Sequence, residues 1–555
     1  MYDMGGLENL VANTAYLKAQ AAIEDKELKR RRQSRPLPKL EQCTTIRSTI
    51  AMDFEQICER QPIGNKLFRQ FLQASEYVVA AELLDELNDW ALAEAGAKDK
   101  ARQNIINKFC RSDSSSFLSY LTGDMASKCQ AVSEKDFEEV MMGRVKDATQ
   151  EFLRGKPFTE YQSSLFFDRF LQWKEFEKQP ISEKYFYEFR TLGKGGFGEV
   201  SVCAVQVKST GQMYACKKLD KKRLKKKGGE KMALLEKCIL EKVNSRFVVN
   251  LAYAYSTKTH LCLVMSLMTG GELKYHIYHM GERGIELDRV VYYTAQITAG
   301  LLHLHAMDIV YRDMKPENVL LDSQGQCKLS DLGLAVELPG GKTICQRAGT
   351  NGYMAPEILK GESYGMSVDW WALGCSIYEM VAGRLPFKDY KEKVQKEKVA
   401  QRTLEDECQF QHQGFEASTI DIINLFLKKN VEERLGCDCK FGQDPRKHEF
   451  FSAISFPRLE AGLITPPWVP KPNVVYAKDT EDIRNFSEVK GVEFDANDEK
   501  FFKEFSTGAV PIPWQQEMID SGLFDELNDP NRKELKFPPF SSGFVGFGSK
   551  IWSVT

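Results

Sequence analysis

Between residues 192 and 357 a series of short motifs constrains the fold more tightly than any compositional figure. The first is Leu192-Gly193-Lys194-Gly195-Gly196-Phe197-Gly198-Glu199-Val200, which contains Gly-x-Gly-x-x-Gly-x-Val. Glycines lack a Cβ, so the backbone amides of such a loop can approach an anion closely. Alone the pattern is weak, because glycine also marks ordinary turns. Strand-like text on both sides, at 189–192 and 200–207, predicts a β-hairpin lid. It does not fit the strand-to-helix turn of a dinucleotide fold. No Gly-Lys-Ser/Thr follows, which excludes a Walker-type loop.

The later motifs supply charges for that anion. Tyr214-Ala215-Cys216-Lys217 places a lysine on the next strand, where it can neutralise phosphates if a carboxylate holds it. Glu236, in the helical stretch 230–243, is the candidate partner. In Tyr311-Arg312-Asp313-Met314-Lys315-Pro316-Glu317-Asn318, Asp313 is suited to orient a substrate hydroxyl and the Asn318 amide oxygen to hold Mg²⁺. Lys315 can stabilise the charge of a transferring phosphoryl group. Asp331-Leu332-Gly333 adds the second metal carboxylate, and Ala355-Pro356-Glu357 closes the segment. Each tripeptide is common by chance; the ordered series points to ATP and Mg²⁺ as cofactors.

The chain of 555 residues is too long for one hydrophobic core, at roughly 150 residues per domain. With 43% hydrophobic and 28% charged residues, wholesale disorder is excluded. The net charge of −2, from 76 basic and 78 acidic residues, argues against a nucleic-acid binder. The 14 cysteines are scattered, and only Cys437 and Cys439 form a close pair, so reduced thiols are expected and a zinc site is not. No run reaches the ~20 apolar residues of a membrane span, and no secretion signal opens the chain.

The text divides into parts. Residues 1–30 read as an amphipathic N-terminal helix and a basic start, with Leu7, Leu10 and Val11 at helical spacing. The basic run from Lys29 to Lys39 is either a solvated linker or a contact with anionic phospholipid. From 54 to 176 three apolar stripes predict an all-α bundle: Leu67, Phe68, Phe71 and Leu72; Leu83, Leu84, Leu87 and Trp90; Phe166, Phe167, Phe170 and Leu171. A β-rich lobe followed by a larger helical lobe occupies 189–451, and a Pro-rich tail runs over 452–517. Short helices return within 500–530, and residues 537–555 read as a flexible C-terminus. The fold class is α+β: a bilobal domain inserted into a helical bundle.

Over 189–451 the motifs resemble the eukaryotic protein kinases, and the following tail is similar to the AGC group. That resemblance implies further roles. Ser266–Met268 would be the hinge that reads adenine, behind a Met265 gatekeeper, with Glu272 near the ribose. Asp369 would brace the catalytic loop, and Glu357 would pair with Arg434. Tyr311 stands where the family usually has His, and Leu332 where it has Phe. At the activation-segment position usually phosphorylated stands Gln346, so Arg312 lacks its customary anionic partner and activation is expected through a binding partner.

Across roughly 1–530 the chain resembles the G-protein-coupled receptor kinases, whose kinase domain sits within a regulator-of-G-protein-signalling homology bundle. Gln61-Pro62-Ile63-Gly64 matches the opening of that bundle, and Gly508-Ala509-Val510-Pro511-Ile512-Pro513-Trp514-Gln515 its return. Val11-Ala12-Asn13-Thr14-Ala15-Tyr16 and the lysine-rich run 221–227 are most similar to the visual, opsin-phosphorylating subgroup, nearest its cone-opsin branch. The resemblance implies receptor docking through Asp3, Leu7, Leu10 and Val11, and autophosphorylation at Ser487 in Phe486-Ser487-Glu488. It also implies an activated receptor (opsin) as substrate, with an anionic membrane surface and a G-protein or calcium-sensor regulator as further partners. Arg31-Arg32-Gln33-Ser34 makes Ser34 a second regulatory phosphorylation candidate. A cytoplasmic protein peripheral to photoreceptor membranes is expected. The chain ends Trp552-Ser553-Val554-Thr555, without the cysteine-containing prenylation motif usual in that subgroup. A G-protein-sequestering scaffold and a general soluble AGC kinase are the alternatives.

Overall fold

The computed structural model describes residues 35–194, 200–437, 444–472, 474, 476 and 491–529, with only the backbone at 190–194 and 200. Asp3, Leu7, Leu10, Val11, Ser34, Ser487, residues 195–199 and residues 537–555 lie outside the described residues.

Helices Pro62–Gln73 and Leu165–Glu177 bury Leu67, Phe68 and Leu72 of the first and Phe167, Phe170 and Leu171 of the second in one core. Leu83, Leu87 and Trp90 of helix Val78–Leu92 close a separate core with Phe109, Phe137 and Met141. The bundle predicted from its three stripes therefore packs around two cores. Helical structure also begins before residue 54, with Leu40–Cys43 and Thr44–Thr49, because Cys43 and Ile46 are buried in the first core. Gly64 stands where that core is tightest: a Cβ there would overlap the Ile57 carbonyl oxygen.

The β lobe is an antiparallel sheet of β1 (Phe186–Lys194), β2 (Val200–Val207), β3 (Met213–Asp220), β4 (Leu251–Ser256) and β5 (His260–Ser266). The spatial order is β1-β2-β3-β5-β4, and the two-residue strand Gly508–Ala509 pairs with the outer edge of β4. Side chains alternate between the two faces of a strand. Val202, Ala204, Ala215, Leu219 and Leu263 thus join the kinase-lobe core, while Cys203, Val205, Tyr214, Cys216 and Cys262 join the first bundle core. The sheet is therefore buried on both faces. In the helical lobe, Ser367–Ala382 is buried around most of its circumference, as expected of a central core helix.

The C-terminal segments couple the two parts. Helix Ala496–Phe505 buries Phe502 and Phe505 in the kinase-lobe core, whereas Pro511–Asp520 and Leu523–Asn528 bury Trp514, Met518 and Phe524 in the bundle. Within the bundle, Gln515 accepts from the Ile63 N–H (3.1 Å) and donates to Gln61 (3.0 Å) and Glu177 (2.8 Å), joining segments from opposite ends of the chain. Two residues on, Glu517 reaches the sheet: its buried carboxyl accepts from the Tyr214 and Tyr253 hydroxyls (2.7 Å each) and from Thr210. Desolvation raises this carboxyl from an ordinary 4.5 to about 7, against the pull of the three hydroxyl donors.

The folded state holds that proton more tightly than the unfolded chain. The associated stability is present below about pH 4.5 and is lost as pH rises through about 7. Glu517→Gln removes the titration. Its stability relative to the parent is expected to shift in the variant's favour between about pH 5.5 and about pH 8, by on the order of 2 kcal/mol. A pH-independent difference in thermal melts would contradict this assignment.

Candidate active site

The sheet and the helix Glu230–Lys242 bring together two charges far apart in sequence. Lys217 Nζ on β3 lies 2.7 Å from Glu236 Oε1, and both side chains are buried. Desolvation acts to lower the lysine's pKa, but the attraction of Glu236 and then of Asp331 outweighs it and holds the ammonium above its ordinary value. The Asp331 carboxyl is pushed up to about 6, first by desolvation; Lys217 pulls it down while Glu236 and Asp313 push it up. Asp331 adopts φ 52° and Arg312 φ 67°, in the left-handed region that L-residues rarely enter. The Gly333 N–H donates to Asp331 Oδ1 (3.2 Å) and helps hold that conformation.

Asp369 organises the loop that carries Asp313. Its fully buried carboxylate accepts from the Tyr311 N–H (2.9 Å), the Arg312 N–H (2.8 Å) and His305 Nε2 (2.8 Å). The Tyr311 hydroxyl donates to the Ser330 carbonyl, linking this loop to the residue before Asp331. Arg312 donates through Nε to the Leu334 carbonyl (2.6 Å) and through Nη1 to Gln346 Oε1 (2.7 Å). The glutamine amide thus satisfies the arginine with no charge on the activation segment.

Around Asp313 the contacts close a small network. Asn318 Nδ2 donates to the Asp313 carbonyl (2.8 Å) and to its Oδ2 (2.7 Å). Lys315 Nζ lies 2.9 Å from the same oxygen. Thr350 Oγ1 donates to Asp313 Oδ1 (2.6 Å) and accepts from Lys315 Nζ (2.8 Å). Thr350 was not among the expected site residues, because one-dimensional spacing carries no signal for this bridge. The Asn318 amide, whose nitrogen is engaged by Asp313, and the carboxylate of Asp331 each carry oxygen donors. Hard oxygen donors of this kind suit Mg²⁺, and the raised Asp331 carboxyl is what an added cation would relieve.

The other expected residues fall as follows. Met265 is buried at the end of β5; Ser266 closes that strand, its N–H donating to the Asn250 carbonyl (3.1 Å); Met268 is buried just beyond. Glu272 stands at the start of the helix Leu273–His279. Leu192, Gly193 and Lys194 end β1 and Val200 begins β2, so the glycine-rich text does join two antiparallel strands. Glu357 and Arg434 form a buried two-point ion pair (2.6 and 3.0 Å), remote from the transfer network.

Residues 186–451 match the protein kinase domain family and residues 53–170 the regulator of G protein signaling domain. Full-length relatives resolve the identity further. Rhodopsin kinase grk7-b of Danio rerio is 74% identical over 536 residues, covering 96% of each chain. Rhodopsin kinase GRK7 of Homo sapiens is 60% identical over 538 residues, covering 96% of this chain and 97% of that one. The chain belongs to the rhodopsin kinase family. As a rhodopsin kinase it is a protein kinase. Removing the Thr350 hydroxyl while keeping the side-chain shape, in Thr350→Val, is expected to lower kcat for phosphate transfer roughly ten- to a hundredfold with an unchanged melting temperature. Steady-state kinetics beside a thermal melt checks this, and a wild-type kcat would contradict it.

Proposed function

We propose that this chain transfers the γ-phosphate of ATP to serine or threonine hydroxyls of activated opsin. The observation that carries the proposal is the convergence of Lys217, Glu236, Asp313, Asn318 and Asp331 in one cleft, in a chain most of whose length aligns with rhodopsin kinases.

In this reading the Glu236 carboxylate aims the Lys217 ammonium at the nucleotide phosphates. Residues 192–200 cover those phosphates with backbone amides. Met265 lies behind the adenine, the backbone of Ser266–Met268 reads its edge, and Glu272 approaches the ribose. Asn318 and Asp331 would hold Mg²⁺, which when bound offsets phosphate charge and fixes its orientation. Asp313, pinned by Asn318 and Thr350, orients the acceptor hydroxyl, and Lys315 offsets charge on the moving phosphoryl group. Most of the rate enhancement in such chemistry comes from positioning and preset electrostatics.

No described helix is long and apolar enough to cross a membrane; in this reading the opsin is met from the membrane surface. Asp3, Leu7, Leu10 and Val11 would dock the activated receptor, and phosphate at Ser34 or Ser487 would tune that encounter. Labelled phosphate transfer to light-activated and to dark opsin membranes, with a short soluble peptide as control, tests the proposal. Labelling of the light-activated membranes well above the dark ones is expected; equal labelling of both would overturn the assignment of substrate.

A further inference from the structure

The two segments that hold Asp313 also build an acidic pocket. On one side, Glu317 lies in the turn Pro316–Asn318, between Lys315 and Asn318, both of which contact Asp313. On the other, Tyr353 follows three residues after Thr350, and its hydroxyl donates to Glu379 Oε2. Tyr278 donates to Glu379 Oε1 (2.5 Å). Glu379 is only 3% exposed, and desolvation followed by the charge of Glu317 pushes its carboxyl up to about 7. Glu317 Oε2 is buried with no hydrogen-bond partner. Two carboxyl groups are therefore gathered on the segments that carry Asp313 and Thr350.

A lysine of the chain's own answers that charge. Lys274, in the first turn of helix Leu273–His279, donates from Nζ to Glu317 Oε1. Desolvation acts to lower its pKa, but Glu317, Glu379 and Glu272 together hold it above the ordinary value. Its side chain remains 43% exposed, so it enters the pocket from the solvent side, as a side chain of a bound substrate would.

We propose that Lys274 is a built-in counter-ion that occupies a substrate subsite formed by Glu317 and Glu379, and so sets the kinase against acceptor segments carrying a basic residue there. The inference rests on the kinase reading above and narrows its substrate class. An arginine or lysine of the substrate could reach Glu317 only by displacing Lys274, and would meet a like charge as it arrived. Specificity achieved by repelling the wrong partner needs only this one group. The competing account, a half-exposed ion pair of merely structural value, predicts no effect on peptide choice.

The test is a peptide series: a neutral serine acceptor, and the same peptide with a single arginine walked through each flanking position. Wild type, Lys274→Met, Lys274→Gln and Lys274→Met/Glu317→Gln enzymes are compared by kcat/KM. Wild type and the two Lys274 single variants should phosphorylate the neutral peptide comparably, and the double variant is read only by its arginine-to-neutral ratio of kcat/KM; failure of wild type on the neutral peptide would count against the proposed function and not against Lys274. Both single variants are expected to gain about tenfold for arginine at one position, and the double variant to lose that gain. An arginine profile identical in wild type and both single variants, or a wild-type enzyme that already prefers arginine there, would overturn the proposal.

Discussion

The ion pair between Lys217 and Glu236 is the constraint around which the rest of the kinase lobe is arranged. Both groups are withdrawn from water, and the desolvation of a buried pair can equal or exceed its mutual attraction, so it is poor evidence of stability. What it does is positional. It ties β3 to the helix Glu230–Lys242 and holds a cation within electrostatic reach of Asp331. The helix is fixed from outside as well: Lys237 donates to the Glu504 carbonyl (3.2 Å) and Thr507 to Glu241. The opposite face of the sheet is fixed by the bundle through Glu517. The segments that close the helical bundle therefore also set the geometry of the nucleotide cleft, which is a physical reason for a kinase domain to sit inside such a bundle.

A second constraint acts beneath the cleft. Asp369 takes two backbone N–H groups of the catalytic loop and a histidine, and this holds Arg312 in a left-handed conformation that it would not adopt alone. From there Arg312 reaches Gln346, a neutral residue at a position where relatives of the wider group carry phosphate. The activation segment is thus held by a hydrogen bond from a guanidinium to a neutral acceptor.

Much of this was legible in one dimension because chemistry at a phosphate needs particular groups at particular spacings. Lys217, Asp313, Asn318 and Asp331 were visible as motif members, and the structure brings each of them into the cleft. The apolar stripes likewise announced the helices. Periodicity names a buried face but not its partner, so the division of the bundle into two cores was invisible. The strand Gly508–Ala509 is too short to alternate and is followed by Pro511; only its pairing with β4 reveals it. Thr350, Lys274 and Glu517 escaped for a shared reason. Each is an ordinary residue in ordinary text, and acts through contacts with residues distant in sequence.

On this account the Lys217–Glu236 pair positions a cation for the phosphates of a magnesium nucleotide. The most direct measurement is a binding isotherm for ATP, with and without Mg²⁺, on the full chain and on its Lys217→Met variant. Mg²⁺-dependent binding by the parent chain is predicted, weakened about tenfold or more in a variant that melts like the parent. Equal affinity in the two proteins, or binding indifferent to Mg²⁺, would contradict it.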